Sequence, residues 1–269
     1  MPQAICQPAK ECFDAAGAMC YTEAERGRRM ARWDTLWPGG WTFCFDDGAF
    51  KPSTDSFLLG SFPPLRRNWR VCDLGAGTGL LGLLLLAREP TLTVTGLELS
   101  PHACELAAQT AEVNGLRGRL VTLPCDLRER SQLPQAGSFD LAVSNPPYFP
   151  AEGGRTAKGD RGTARAELTC TMEQLCAAAA YLLRSGRQFC LVYPTVRLAE
   201  LLETLRRCRL EPKTLRFVQK NGTAAPSLVL LNCRKDGRTG LTVQPPLLLQ
   251  NADGTETEEL RRIYFKDKR

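Results

Sequence analysis

The chain reads as an α/β protein: a doubly wound, mostly parallel sheet of seven strands with one antiparallel strand at an edge. From about Trp69 onward, short apolar runs rich in Val, Leu and Thr alternate with helical runs, the order that places parallel strands in one sheet with helices on both faces. A glycine-rich turn follows the first of these strands and opens a helix, as at the ligand-binding edge of such sheets. The last two strand signals are joined by residues 219–226 with no helix between them, a link suited to an antiparallel pair.

The elements follow in order. Residues 1–29 carry three cysteines, weak periodicity and the basic cluster Arg26, Arg28 and Arg29. They read either as a helical extension or as a poorly ordered segment read from an upstream start. We therefore place an extension at residues 1–31 and one domain at residues 32–269. Residues 70–74 form the first strand and residues 80–87, almost wholly Leu, a buried helix. Residues 91–97 alternate Thr with Leu and Val, a strand pattern. Ser100 is an N-cap with Pro101 at the first helical position, and Asn114-Gly115 stops that helix. Residues 119–123 and 139–144 are the third and fourth strands. Residues 172–183 are helical, with Gly186 just past the end. A strand at 188–193, a helix at 196–208 and strands at 214–218 and 227–233 complete the pattern.

Composition narrows the function. The 269 residues are 43% hydrophobic and 24% charged, which is ordinary globular usage and excludes disordered and fibrous chains. The longest strongly apolar run is eight residues, against ~20 for a membrane span. No apolar stretch follows a basic start, so no export signal is visible. Thirty-five Lys and Arg against 29 Asp and Glu leave a net charge of +6, which permits a polyanionic partner without requiring one. The twelve cysteines include no CxxC pair and the chain has a single histidine, His102, so a zinc finger and a bound metal are not expected. The thiols read as reduced, in a cytoplasmic protein. His102 has no evident catalytic partner.

The glycine turn carries the first chemical signal. It reads Asp73-Leu-Gly75-Ala-Gly77-Thr78-Gly79 and then Leu80, where a dinucleotide fingerprint would place a third glycine and a phosphate loop a lysine. Asp73 at the strand end would repel a pyrophosphate and suits a ligand bearing an ammonium and a sulfonium, which points to S-adenosylmethionine. Glu98, nineteen residues after Gly79, ends the next strand, where an acid accepts the two hydroxyls of a ribose. Asp126 follows the third strand and is placed to meet the adenine amino group.

The second signal is Asn145-Pro146-Pro147-Tyr148, after the fourth strand and so at the same sheet edge. Two prolines remove two N–H donors and leave mainly acceptors, the Asn145 side-chain oxygen and the Pro146 carbonyl. A planar NH2 group offers two donors, and accepting both raises electron density on a poorly nucleophilic nitrogen as positive charge develops there. Tyr148 supplies a face on which a base stacks, worth ~1–3 kcal/mol.

At these residues the chain resembles Rossmann-like class I methyltransferases of the NPPY, amino-methylating kind, which act on adenine N6, guanine N2 or glutamine N5. Two further segments narrow the resemblance. FCFDDGAFKPSTDSFLLG at residues 43–60 and GLTVQPPLLLQNADGTETEELRRIY at residues 240–264 are similar to the bacterial valine-tRNA (adenine-N6) methyltransferase family. The likeness covers roughly residues 32–264. It implies methylation of the adenine beside the anticodon of a valine tRNA, adenine 37, by a monomer. It also implies that Asp55 frames the methionine end of the cofactor. The candidate cofactor contacts are thus Asp55, Asp73, Gly75, Gly77, Thr78, Gly79, Glu98, Leu99, Asp126, Leu127 and Asn145. Anticodon-loop bases are single-stranded, which lowers the cost of extruding one.

Arg155, Lys158, Arg161 and Arg165 lie just after the NPPY box and are the candidate phosphate contacts for RNA. A second basic stretch runs from Arg184 to Lys220, and about half of it reads as solvated helix face. The alternatives are a guanine-N2 methyltransferase of ribosomal RNA, a glutamine-N5 methyltransferase of a protein, and a methyltransferase-like module that binds RNA without turnover. A glutamine substrate would need a helical peptide-binding domain before the glycine loop, and the preceding residues show no such pattern.

Overall fold

The computed structural model describes residues 31–46, 52–147 and 170–268. It begins with a hairpin, β1 (Ala31–Thr35) and β2 (Thr42–Asp46). Then come α1 (Thr54–Ser61), β3 (Arg70–Leu74), α2 (Leu80–Arg88), β4 (Thr93–Glu98), α3 (Pro101–Val113), β5 (Leu120–Pro124) and β6 (Phe139–Ser144). After residue 169 follow α4 (Met172–Leu182), β7 (Leu183–Pro194), α5 (Leu198–Arg207), β8 (Leu210–Gln219), β9 (Leu228–Lys235), β10 (Thr242–Leu248) and α6 (Glu258–Ile263). The extension expected at 1–31 lies outside the described residues except for Ala31, the first residue of β1.

The main sheet has the order β10-β8-β9-β7-β6-β3-β4-β5. Its strands divide their side chains between two apolar clusters. Val71, Leu141 and Cys190 join one, while their neighbours Cys72, Ala142 and Leu191 join the other. Successive strand side chains point to opposite faces, so both faces must be covered. Leu58 and Leu59 of α1 and the leucines of α2 cover the first; Leu175, Cys176 and Leu182 of α4 with Leu201 and Leu205 of α5 cover the second.

The doubly wound sheet matches the expectation, with two differences. It has eight strands rather than seven, and the antiparallel strand β9 is not at the edge but lies between β7 and β8. The extra strand is β10, parallel to β8 and outermost on that side. It contains Pro245 and Pro246, which cannot donate to a ladder, and its register slips between Gln244 and Leu247. Prolines are confined to edge strands for this reason, and the same pair hides the strand from pattern reading.

The helix caps behave as read. Ser100 caps α3 by accepting from the Ala103 amide, and Gly115 at φ 66° ends it. Gly186, expected past the end of α4, instead lies within β7, which starts directly at Leu183. The hairpin packs on α3: the Cys44 amide donates to Thr110 Oγ1 at 3.0 Å and the Thr42 amide to Asn114 Oδ1 at 2.9 Å. His102 belongs to this packing, its Nε2 standing 3.1 Å from Oδ2 of the fully buried Asp46.

Candidate active site

All strands of the main sheet except β9 end at one edge. There the order reverses, because β3 has β4 on one side and β6 on the other. Loops that diverge from adjacent strands leave a crevice at such a point. The glycine loop leaves β3, Glu98 ends β4, Asp126 follows β5 and Asn145 follows β6, so the structure brings both sequence signals to this crevice.

The loop is shaped by its glycines and by β4. Gly75, Gly77 and Gly79 have φ of 74°, 55° and 79°, values that side chains with a Cβ rarely adopt. The Gly75 and Ala76 amides donate to the Leu97 carbonyl at 2.9 and 3.2 Å. The Gly77 amide donates to Glu98 Oε2 at 2.8 Å, and the Ser100 amide to Glu98 Oε1 at 2.9 Å. Each carboxylate oxygen keeps acceptor capacity, so Glu98 is oriented without being used up. Thr78 is buried within the loop, and Leu99, beside Glu98, is 44% exposed at the crevice.

Gly96 is a residue the sequence reading missed. It lies in β4 between Asp73 of β3 and Thr122 of β5. A Cβ there would stand 2.7 Å from Ala76 Cβ and 2.9 Å from Thr122 Oγ1. Only glycine lets the loop settle on the strand. Gly96→Ala is expected to weaken S-adenosylhomocysteine binding about tenfold by lifting Ala76, as overpacking of this kind costs ~1–3 kcal/mol. Calorimetric titration checks this, and an unchanged affinity contradicts it.

Asp73 is the electrostatic centre. It is 2% exposed, and its Oδ2 has no hydrogen-bond partner among the described residues. Burial and, next, the nearby Glu98 raise its pKa to about 8, against the pull of the Gly82 amide. A buried carboxyl with an open oxygen at a ligand crevice suits a cation. The residues present therefore fit S-adenosylmethionine: Asp73 would take its cationic amino acid end and Glu98 the ribose hydroxyls. Asp126 is committed to a bidentate pair with Arg128, at 2.9, 3.0 and 2.7 Å, which holds its carboxyl below the usual range. Leu127 packs on the second apolar cluster. Asp55 lies in the first turn of α1, half-buried.

Asn145 follows β6 directly, and Ser144 ties that strand end to β3 by donating to the Leu74 carbonyl at 2.8 Å. The Asn145-Pro146-Pro147 start of the box is thus fastened beside the glycine loop. Pro146 is buried and Pro147 exposed. The Asn145 amide nitrogen donates to Ser53 Oγ at 3.3 Å and Ser56 Oγ at 3.0 Å. These serines, also missed by the sequence reading, begin α1, where Ser53 accepts from the Ser56 amide as N-cap. With the nitrogen directed to α1, the Asn145 oxygen is the free end and accepts no hydrogen bond among the described residues. Tyr148, Arg155, Lys158, Arg161 and Arg165 lie outside the described residues.

The second basic stretch is mostly neutralised. Arg184 and Arg187 flank Asp140, at 2.7 and 3.3 Å. Arg206 pairs with Glu211, Arg207 with Glu173, Arg209 with Asp236 and Arg216 with Glu259. Most of the partners, Asp140, Glu173, Asp236 and Glu259, lie outside the stretch itself, so linear counting of charge overstated this surface.

A buried acid over a glycine turn, a second acid on the next strand and an Asn-Pro-Pro acceptor box on a doubly wound sheet together define a class I methyltransferase. The relatives belong to the same class. Residues 44–218 match the methyltransferase small domain family. The tRNA1(Val) (adenine(37)-N6)-methyltransferase of Dickeya chrysanthemi is 33% identical over 207 residues, covering 75% of this chain and 81% of the relative. The protein of the same name from Yersinia pestis is 30% identical over 250 residues, covering 88% of this chain and 96% of the relative. A crystal structure of a predicted O-methyltransferase from Agrobacterium tumefaciens superposes with a TM-score of 0.65 at 23% identity, over 79% of this chain and 96% of that one, a likeness of fold. The chain belongs to the methyltransferase small domain family, within the group of the tRNA1(Val) (adenine(37)-N6)-methyltransferases.

Proposed function

We propose that the protein methylates the exocyclic N6 of adenine 37 in the anticodon loop of a valine tRNA, with S-adenosylmethionine as donor. The observation that carries this reading is the pair of serine contacts that turn the Asn145 amide nitrogen inward. They leave an acceptor oxygen at the crevice, matched to an NH2 group. The names of the relatives select adenine N6 among such groups.

When bound, S-adenosylmethionine supplies an electrophilic methyl group on a sulfonium and departs as the thioether S-adenosylhomocysteine. Asp73 would hold its cationic amino acid end and Glu98 its ribose hydroxyls. Asn145 Oδ1 and the Pro146 carbonyl accept the two N–H hydrogens of the adenine amino group, which aims the nitrogen lone pair. As the N–C bond forms and nitrogen becomes positive, both oxygens stabilise that charge. One N6 proton then leaves to water. Tyr148 stacks the extruded base.

The direct test offers labelled S-adenosylmethionine with unmodified tRNA, ribosomal RNA and a release factor in parallel. Label is expected in tRNA as N6-methyladenosine. Label in guanine or in glutamine replaces the substrate while keeping the acceptor chemistry.

Arg155, Lys158, Arg161 and Arg165 are the proposed phosphate contacts. tRNA affinity is then expected to fall steeply with salt. The slope of log affinity against log salt should flatten by about 0.7–0.9 for each of these residues changed to Ala. A salt-independent affinity for tRNA, measured by filter binding, would remove them from the interface.

A further inference from the structure

We infer that Tyr264, in the closing segment of the chain, is a positioning residue for Asn145, acting through the first turn of α1. The inference rests on the role of Asn145 proposed above. Ser53 and Ser56 hold the Asn145 amide, and Thr54 lies between them. The Tyr264 hydroxyl donates to Thr54 Oγ1 at 3.0 Å, and the Tyr264 ring stacks on Phe57 at 4.7 Å. One tyrosine therefore grips the turn whose serines orient the acceptor.

The tyrosine is itself held on the same face of the sheet, by α6 and the outer strands β8 and β10. Thr257 caps α6, accepting from the Leu260 amide at 3.2 Å and donating to the Leu248 carbonyl of β10 at 2.7 Å. Glu259 accepts from both terminal guanidinium nitrogens of Arg216 in β8, at 2.6 and 2.8 Å. Leu260 is buried in the cluster that Leu58 and Leu59 of α1 also join. These leucines fix the inner face of α1, whereas Tyr264 constrains its first turn from outside. Turning α1 about its axis would carry Ser53 and Ser56 away from Asn145.

The Tyr264–Thr54 hydrogen bond lies at the surface, where water competes with it, so it adds little to stability. Its effect on geometry is larger, because displacing a catalytic group by ~1 Å costs as much as 10²-fold in rate. This separates positioning from plain support. Tyr264→Phe keeps the ring on Phe57 and removes only the hydroxyl.

The experiment measures kcat and KM for tRNA methylation, S-adenosylhomocysteine affinity and Tm for Tyr264→Phe, Thr54→Val and the double variant, with Asn145→Ala alongside. Each single variant is expected to lower kcat about fivefold to tenfold, with affinity within about twofold and Tm within about 1 °C of the parent. The double variant should be no slower than either single one, because the two changes break one bond. A parental kcat in Tyr264→Phe overturns the inference, as does a fall in kcat matched by loss of affinity and Tm. An inactive Asn145→Ala beside a fully active Tyr264→Phe removes this inference alone. An active Asn145→Ala removes the role of Asn145 and this inference with it.

Discussion

Asn145→Ala is expected to slow methyl transfer to tRNA by about 10²–10³-fold while leaving S-adenosylhomocysteine affinity within about fivefold, since one preorganised acceptor facing developing charge is worth that much. The split follows from where the side chain is held. Its nitrogen is bonded to Ser53 and Ser56 of α1, and its oxygen is left for the substrate. The cofactor's amino acid end and ribose are assigned to Asp73 and Glu98, on neighbouring strands. Single-turnover kinetics with saturating cofactor give the first number and calorimetry the second. A variant that transfers methyl at the parental rate would place the acceptor elsewhere.

Asp73→Asn should have the second large effect, in two opposite directions. A neutral amide cannot answer a cation, so cofactor affinity should fall about 100-fold, the scale of a buried charge pair losing one partner. In the parent, the Asp73 pKa of about 8 means that the carboxyl is largely protonated at neutral pH when the site is empty. A cationic ligand favours the ionised form. Cofactor affinity should therefore rise with pH, at most about tenfold per unit, and level off above pH 8. The consequence for folding has the reverse sign. A carboxyl whose pKa rises from 3.8 to about 8 on folding binds more protons folded than unfolded between those values. Its contribution to stability falls as pH rises through that window and is constant above it. Without ligand, Asp73→Asn should gain Tm relative to the parent between pH 5 and pH 8.5. Parallel Tm profiles for the two proteins would mean that Asp73 is not strained in this way.

Much of the fold and half of the site were legible because local signals carried them. The strands Arg70–Leu74 and Phe139–Ser144 lie where the apolar pattern puts them, and the Ser100-Pro101 start of α3 is a cap whose chemistry is local. Glycine turn and NPPY box each sit at a strand end, so a parallel sheet brings them to one edge without further information. What escaped depends on contacts between distant residues. The outer strand β1 is only five residues long and exposed along its whole length, so no buried face marks it. Prolines masked β10. The Ser53 and Ser56 contacts to Asn145 span about ninety positions of chain, and the helix-start signal at Ser53 says nothing of where its side chains will point. Gly96 lies inside a strand the pattern does show, but its need to be glycine comes from Ala76 of the loop, twenty positions earlier. The basic stretch from Arg184 to Arg216 reads as only half neutral in sequence, because acids such as Asp140 and Glu259 that pair with it lie elsewhere in the chain.

The measurement that bears most directly on the whole account is nucleoside mapping of valine tRNA after reaction with the full chain and S-adenosylmethionine. The expected result is one N6-methyladenosine, at position 37, absent when Asn145→Ala replaces the parent. A methyl group on another base or another atom of the tRNA, or no methyl group while the cofactor still binds, would contradict it.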